Sequence, residues 1–345
     1  MRHKVFSTIS IVCCSIILFS SLTGWMKKPV TVDPADIKKS VTKSLLLLQQ
    51  SSYVFTNNTK FKCASCHHNT LTSVAASLAV EKGIPLIDSF TTHRLNSIAG
   101  TVIGICNPNL IAQVVAVNFI PPYMLLGLHA EKYPADLNTD IAVDYIMSQA
   151  KPNGSFLTES GRPPLETGEA HLTALDVRAL QLYAAPAKKK QADEIIARSK
   201  QWLEKLNTEN QQELAFQLLG MQWCGSNKDI KMKVAAKLKS MQNADGGWSQ
   251  LSTMKSDAYA TGQTLYALYE SGMAKPKDEV YQKGLDYLLK TQDNSGAWIV
   301  ATRAYAIQPF ISSEFPPYDE NQFISATATN WATMALLSAL PDKGK

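Results

Sequence analysis

The sequence predicts an all-α fold in which about six helical hairpins close into a double ring, one helix of each hairpin outside and the other inside. Three observations predict it. The first is an internal repeat. KGLDYLLKTQDNSGAW (283–298) lies over KVAAKLKSMQNADGGW (233–248) with Lys, Leu, Gln, Gly and Trp in register, at a period of 50 residues. The second is the pattern inside each copy, where apolar residues three and four apart give way to a Gly-containing turn. The third is the more apolar stretch that follows each turn. A hairpin that is apolar on one face of its first helix and nearly all round its second buries the second, and several such hairpins stack into a ring.

The elements follow in order. VTKSLLLLQQ (41–50) opens the series, and the first inner helix is HNTLTSVAASLAVEKG (68–83). FIPPYMLLGLHAEKY (119–133) is the second inner helix. IAVDYIMSQAKPNGSF (141–156) keeps Gln149 and Gly154, with Phe156 in place of Trp, and leads into EAHLTALDVRALQLYA (169–184). RSKQWLEKLN (198–207) is a weaker copy, before NQQELAFQLLGMQW (210–223). The two sharp copies precede SDAYATGQTLYALYESG (256–272) and SATATNWATMALLSAL (325–340).

Gln292, Gly296 and Trp298, with Gln242, Gly246 or Gly247 and Trp248, resemble the QW repeat of the squalene and oxidosqualene cyclases. On these residues the chain is similar to the terpenoid cyclase and prenyltransferase superfamily, over roughly residues 36–341. The resemblance implies an α/α toroid of inner and outer helix rings. It also implies that Gln242 with Trp248, and Gln292 with Trp298, are structural clamps. The D-x-D-D and Asp-Cys runs that carry the acid in those cyclases are absent, as is the zinc-site Cys of the protein prenyltransferases. Any acid should stand on or just before an inner helix, which nominates Glu166, Glu169, Asp176, Asp257 and Asp319. The competing reading makes each a helix cap, a first-turn carboxylate or an exposed charge, and Asp257 and Glu169 suit a first turn especially well.

Residues 1–25 have a basic start and then an uncharged apolar run, the layout of an export signal cleaved after Thr23 or Gly24, or of an N-terminal membrane anchor. Cys13 and Cys14 are filler in that run. The mature chain, 26–345, is expected in the periplasm or another extracytoplasmic space. A net charge of +5 with KKK (188–190) as the only basic run excludes a nucleic-acid face.

In this setting FKCASCHHNTL (61–71) carries the chemistry. Cys63 and Cys66 stand one helical turn apart, able to add to the two vinyl groups of a haem, with His67 as axial iron ligand. Covalent haem c is therefore the expected cofactor. Zinc on Cys63, Cys66 and a histidine is the alternative, and a Cys63–Cys66 disulfide or free thiols the third reading. His68 is expected to be a solvated or capping side chain. His93, His129, His171 and the ten Met residues are candidates for the second axial position. The competing reading of His171 is a helix-start imidazole bonded to a neighbouring carboxylate. Cys106 and Cys224 either pair or are small buried hydrophobes.

Two functions stand. One is an exported c-type haem protein that exchanges electrons with a partner protein and holds an apolar isoprenoid-like ligand in its central cavity. The other is a cyclase-like enzyme or lipid-binding module in which the CxxCH residues are structural or bind zinc.

Overall fold

A computed structural model describes residues 30–343, apart from 60, 106–116, 157, 159–160 and 306–311. Residues 1–25, expected to be an export signal or anchor, lie outside the described residues, as do Cys13, Cys14 and Cys106. The described residues form twelve α-helices and no sheet: α1 (Pro34–Asn58), α2 (Leu71–Glu81), α3 (Asp88–Ile105), α4 (Ile120–Ala130), α5 (Leu137–Ser148), α6 (Glu169–Tyr183), α7 (Lys189–Lys205), α8 (Gln211–Trp223), α9 (Lys228–Ser240), α10 (Ala258–Glu270), α11 (Glu279–Thr291) and α12 (Gln322–Ser338). None of them is long and apolar enough to cross a membrane.

Odd- and even-numbered helices differ as their sequences require. Along α11 only Tyr281, Gly284, Leu285 and Leu288 are buried, a single stripe at spacings of three and four. Along α12 every residue from Ile324 to Ser338 is buried. The even-numbered helices pack each on the next, α2 to α12, and α12 packs back on α2. The result is the expected α/α toroid, with six inner and six outer helices. The outer helix α3 carries no repeat signal in the sequence, and neither the Gln nor the Trp follows it in register.

The two sharp repeats show how the rings are pinned. Gln242 Nε2 donates to Gly246 O (2.9 Å) and to Val280 O at the start of α11 (2.8 Å). Gln292 Nε2 makes the same pair of bonds to Gly296 O (3.0 Å) and to Ser40 O of α1 (3.1 Å), so the last outer helix is tied to the first. Each Trp donates its indole N–H, at 2.8 Å, to a carbonyl in the last turn of its own outer helix: Trp248 to Leu238 and Trp298 to Leu288. Backbone donors run out at these helix ends, and each carbonyl has one other, longer contact, Leu238 O with Met241 N at 3.3 Å and Leu288 O with Thr291 Oγ1 at 3.4 Å. In the 141–156 copy Phe156 is fully buried, but the Gln149 side chain bonds only Ser148 Oγ and clamps nothing.

The turn glycine is required by the same contact. Gly246 has φ +90°, and a Cβ there would lie 2.5 Å from Lys283 O of α11. Gly296, at φ +95°, abuts Lys43 of α1 in the same way. Gly246→Ala should cost roughly 1–3 kcal/mol for the backbone conformation alone, with the steric contact adding to it, as a lowered urea midpoint would record.

Candidate functional site at the lumen rim

The CxxCH segment folds as a turn that leads into the first inner helix. Ser65 caps it, its Oγ accepting from the backbone N–H of His67 (3.1 Å) and His68 (3.3 Å). Residues Cys66–Thr70 wind as one π-helical turn before α2, a local irregularity that often accompanies a functional site. From α12, Asn330 Nδ2 donates to His67 O at 2.9 Å and Asn330 Oδ1 accepts from Thr72 at 3.2 Å, fixing the turn against the ring.

His68 corrects the sequence reading. It is buried, stacked on Phe55 with ring centroids 5.0 Å apart and edge-on to Phe323, and burial pushes its pKa down to about 3. The cap is Ser65, and His68 is core.

His67 points the other way. Its Nε2 lies 3.6 Å from Oε1 of Glu166, in the turn before α6. Because α2 and α6 are not neighbours in the ring, this contact spans the lumen. Arg162 holds Glu166 from behind, donating from Nε to Oε2 at 2.8 Å and from Nη2 to Oε1. Burial opposes the charge on Glu166, but His67 and Arg162 outweigh it and keep the carboxyl below the usual carboxylate range. Burial lowers the pKa of His67 and leaves it the neutral partner. The Cys66 thiol is pushed well up by burial, reinforced by Glu166, so it is not a thiolate nucleophile at neutral pH.

A second polar network continues from this rim. Tyr123 of α4 shares a 2.8 Å hydrogen bond with His171 Nε2. His171 Nδ1 lies 3.1 Å from Thr167 O, and Gln212 of α8 joins Tyr259 of α10, whose hydroxyl donates to Gln212 Oε1 at 2.8 Å. His171 therefore has a phenol and a carbonyl as partners where a neighbouring carboxylate was expected. Below it the rings run on across the axis. His171 stacks on Phe216 at 3.9 Å, and Phe216 meets Trp331 at 5.9 Å although α8 and α12 are not adjacent.

The acid candidates separate. Asp257 is the cap of α10, accepting from Ala260 N at 2.9 Å, and burial raises its pKa to about 6. Glu169 is a first-turn carboxylate paired with Lys151 at 2.7 Å, and Asp319 is exposed in the turn before α12. Glu166 and Asp176 are neither caps nor exposed. Asp176 is buried mid-helix on α6, away from the His171 face, and burial raises its pKa far above the usual range.

In donor chemistry Cys63, Cys66 and His67 fit a covalently attached haem: the thiols are free, and neither ring nitrogen of His67 has a hydrogen-bond partner. In space they do not fit as placed, because Cys66 is only 6% exposed and the Glu166 carboxylate stands beside His67 Nε2, the nitrogen that would face the iron. Among the described residues no three His, Cys, Asp or Glu side chains converge on a metal-binding geometry. Cys224 is a free thiol that ends α8.

The residues that the sequence did not single out are Arg162, Tyr123, Gln212, Phe216, Gln263 and Trp331. Their signal was present as polar and aromatic residues at helical spacing inside otherwise apolar inner helices, such as Tyr259, Gln263 and Tyr266.

The chain is similar in structure to the type II terpene cyclase MstE from Scytonema, with TM-score 0.60 and 13% identity over 90% of this chain and 99% of that one. It is similarly close to an MstE variant in complex with geranylgeranyl dihydroxybenzoate, described as its substrate (TM-score 0.59, 14% identity, 89% and 99% covered). A possible member of the GH105 family from Salmonella enterica matches with TM-score 0.53 and 11% identity over 92% of this chain and 97% of that one. No family model matches the sequence, and no curated protein matches it. These neighbours define a terpene cyclase-like α/α toroid, a fold that hosts more than one chemistry.

Proposed function

We propose that this protein is a terpene cyclase-like module that takes an apolar, isoprenoid-class molecule into the lumen of its toroid. The observation that carries the reading is a chain of ring contacts round the inside of the toroid: Tyr123, His171, Phe216, Trp331 and Tyr266 come from five inner helices and form one continuous aromatic interior. Such a lining offers large apolar area, with π faces toward whatever it holds. MstE, which shares the fold, is described with a geranylgeranyl-bearing substrate. At the rim, Arg162 holds Glu166 charged beside a neutral His67, a pair able to accept and return a proton at the imidazole. Native mass spectrometry of the full chain with geranylgeraniol should show one molecule bound per chain. Failure of geranylgeraniol and squalene alike to bind would sink the reading.

A second reading is favoured by the free thiols of Cys63 and Cys66 beside His67, whose Nδ1 has no partner: an exported haem protein with haem c on Cys63, Cys66 and His67, transferring electrons to a redox partner. It requires Glu166 to withdraw from Nε2. The haem would supply the redox chemistry, and this chain would supply two thioether attachments and one axial imidazole. Export in a host with haem-attachment machinery, followed by absorption and mass spectra, tests it. A haem-sized mass gain that Cys66→Ala abolishes supports it, and a colourless protein of unmodified mass removes it.

A further inference from the structure

Hydrogen-bonding groups buried at mid-depth in the lumen have no partner in the protein. Gln263 is 2% exposed, and neither its amide oxygen nor its nitrogen is hydrogen-bonded. Trp331 is 4% exposed, and its indole N–H is likewise unpaired. Both face the axis. Gln263 lies on α10 between Tyr259 and Tyr266, at spacings of four and three that put all three side chains on one face. Trp331 touches Tyr266 of that face, with ring centroids 5.7 Å apart, and Phe216 of α8, two places round the ring. The Gln263 amide lies beside the Tyr259 hydroxyl but too poorly placed to make a hydrogen bond with it, and that hydroxyl gives its proton to Gln212 at 2.8 Å.

Buried polar groups are nearly always satisfied, and an unpaired amide in an aromatic interior is costly unless something else completes it. A pure hydrocarbon could not. A ligand oxygen could, since a carbonyl or hydroxyl oxygen accepts from both Trp331 Nε1–H and Gln263 Nε2–H, and a hydroxyl also donates to Gln263 Oε1. The charge pattern at this depth argues for a neutral group. The guanidinium of Arg162 is engaged by Glu166 at the rim, and Arg303, which acts on Tyr259, donates from Nε to Gln250 Oε1 at 2.8 Å, so both of these cations are already held by protein acceptors.

We infer that the lumen selects an uncharged, oxygen-bearing isoprenoid, a prenol or a prenylated carbonyl compound, whose oxygen is held at mid-depth by Gln263 and Trp331. The inference rests on the lumen-ligand reading above and sharpens it. Isothermal titration of the full chain would compare geranylgeraniol, its deoxygenated hydrocarbon and geranylgeranyl diphosphate. The alcohol should bind about tenfold more tightly than the hydrocarbon, and Gln263→Leu should bring the two within about threefold of each other. That variant should also unfold at the same or a higher temperature, because it removes an amide that bonds nothing; a structural amide would lower it. Should Gln263→Leu fail to fold, Trp331→Phe keeps a ring in place, removes the N–H and should narrow the same difference. Equal binding of alcohol and hydrocarbon overturns the inference and leaves the lumen reading standing. Tighter binding of the diphosphate overturns it in favour of a charged head group. If none of the three binds, both fall.

Discussion

Trp298→Ala should destabilise the protein by about 3–5 kcal/mol, one of the largest effects expected of any single side chain. Trp298 is 1% exposed, so truncation leaves a cavity the size of an indole between α11 and the inner ring. It also removes the shorter of two bonds to the carbonyl of Leu288, the indole N–H at 2.8 Å, and leaves it Thr291 Oγ1 at 3.4 Å. The carbonyl sits in the last turn of α11, where backbone donors run out. Trp298→Phe separates the two contributions. It restores most of the apolar volume but not the N–H, and should cost about 1–3 kcal/mol. Urea unfolding of the three proteins gives the ordering. If Trp298→Phe were as damaging as Trp298→Ala, volume would not be the main term, and if both were neutral the clamp reading of the QW residues would be wrong.

The clamp was legible in the sequence for a physical reason. A Gln, a Gly and a Trp at fixed spacing after an amphipathic helix are each locally constrained: the Gly by its positive φ, the Gln and Trp by the helix-end carbonyls within their reach. Helices were legible for the same cause, since burial imposes a period of three to four on an outer helix and erases it on an inner one. The lumen was less so. His67 meets Glu166 ninety-nine positions further along the chain, and Phe216 meets Trp331 only because the ring closes. Nothing local in CASCHH distinguishes an imidazole that faces the axis from one that packs on Phe55, and the two adjacent histidines do one each. Arg162 was passed over because its loop looks like solvent-exposed linker until Glu166 is seen to be buried.

Acidification should weaken the fold through His171, and a wild-type curve alone will not isolate the effect, because buried His68, also held to about 3, loses stability over the same range. Burial lowers the pKa of His171 from an ordinary 6.5 to about 3, with neighbouring Thr167, His67 and Glu166 as smaller influences. The unfolded chain therefore binds a proton between those two values when the folded chain does not. Stability is fully present above pH 6.5 and is lost as the pH falls toward 3, by about 2 kcal/mol at pH 5. Asp257 works in the opposite sense. Its pKa is raised from 3.8 to about 6, chiefly by burial, so the folded state gains relative stability as the pH falls from 7 toward 4. Between pH 7 and 5 that gain is about 1 kcal/mol, offsetting roughly half of the His171 loss. The comparison that isolates His171 is wild type against His171→Gln, which keeps a polar group opposite Tyr123 without a titrating nitrogen. Relative to wild type, the variant should gain about 2 kcal/mol on moving from pH 7 to pH 5. A difference between the two proteins that does not change with pH would mean that His171 is not held neutral by burial, and that the lumen rim is wetter than its hydrogen bonds to Tyr123 and Thr167 imply.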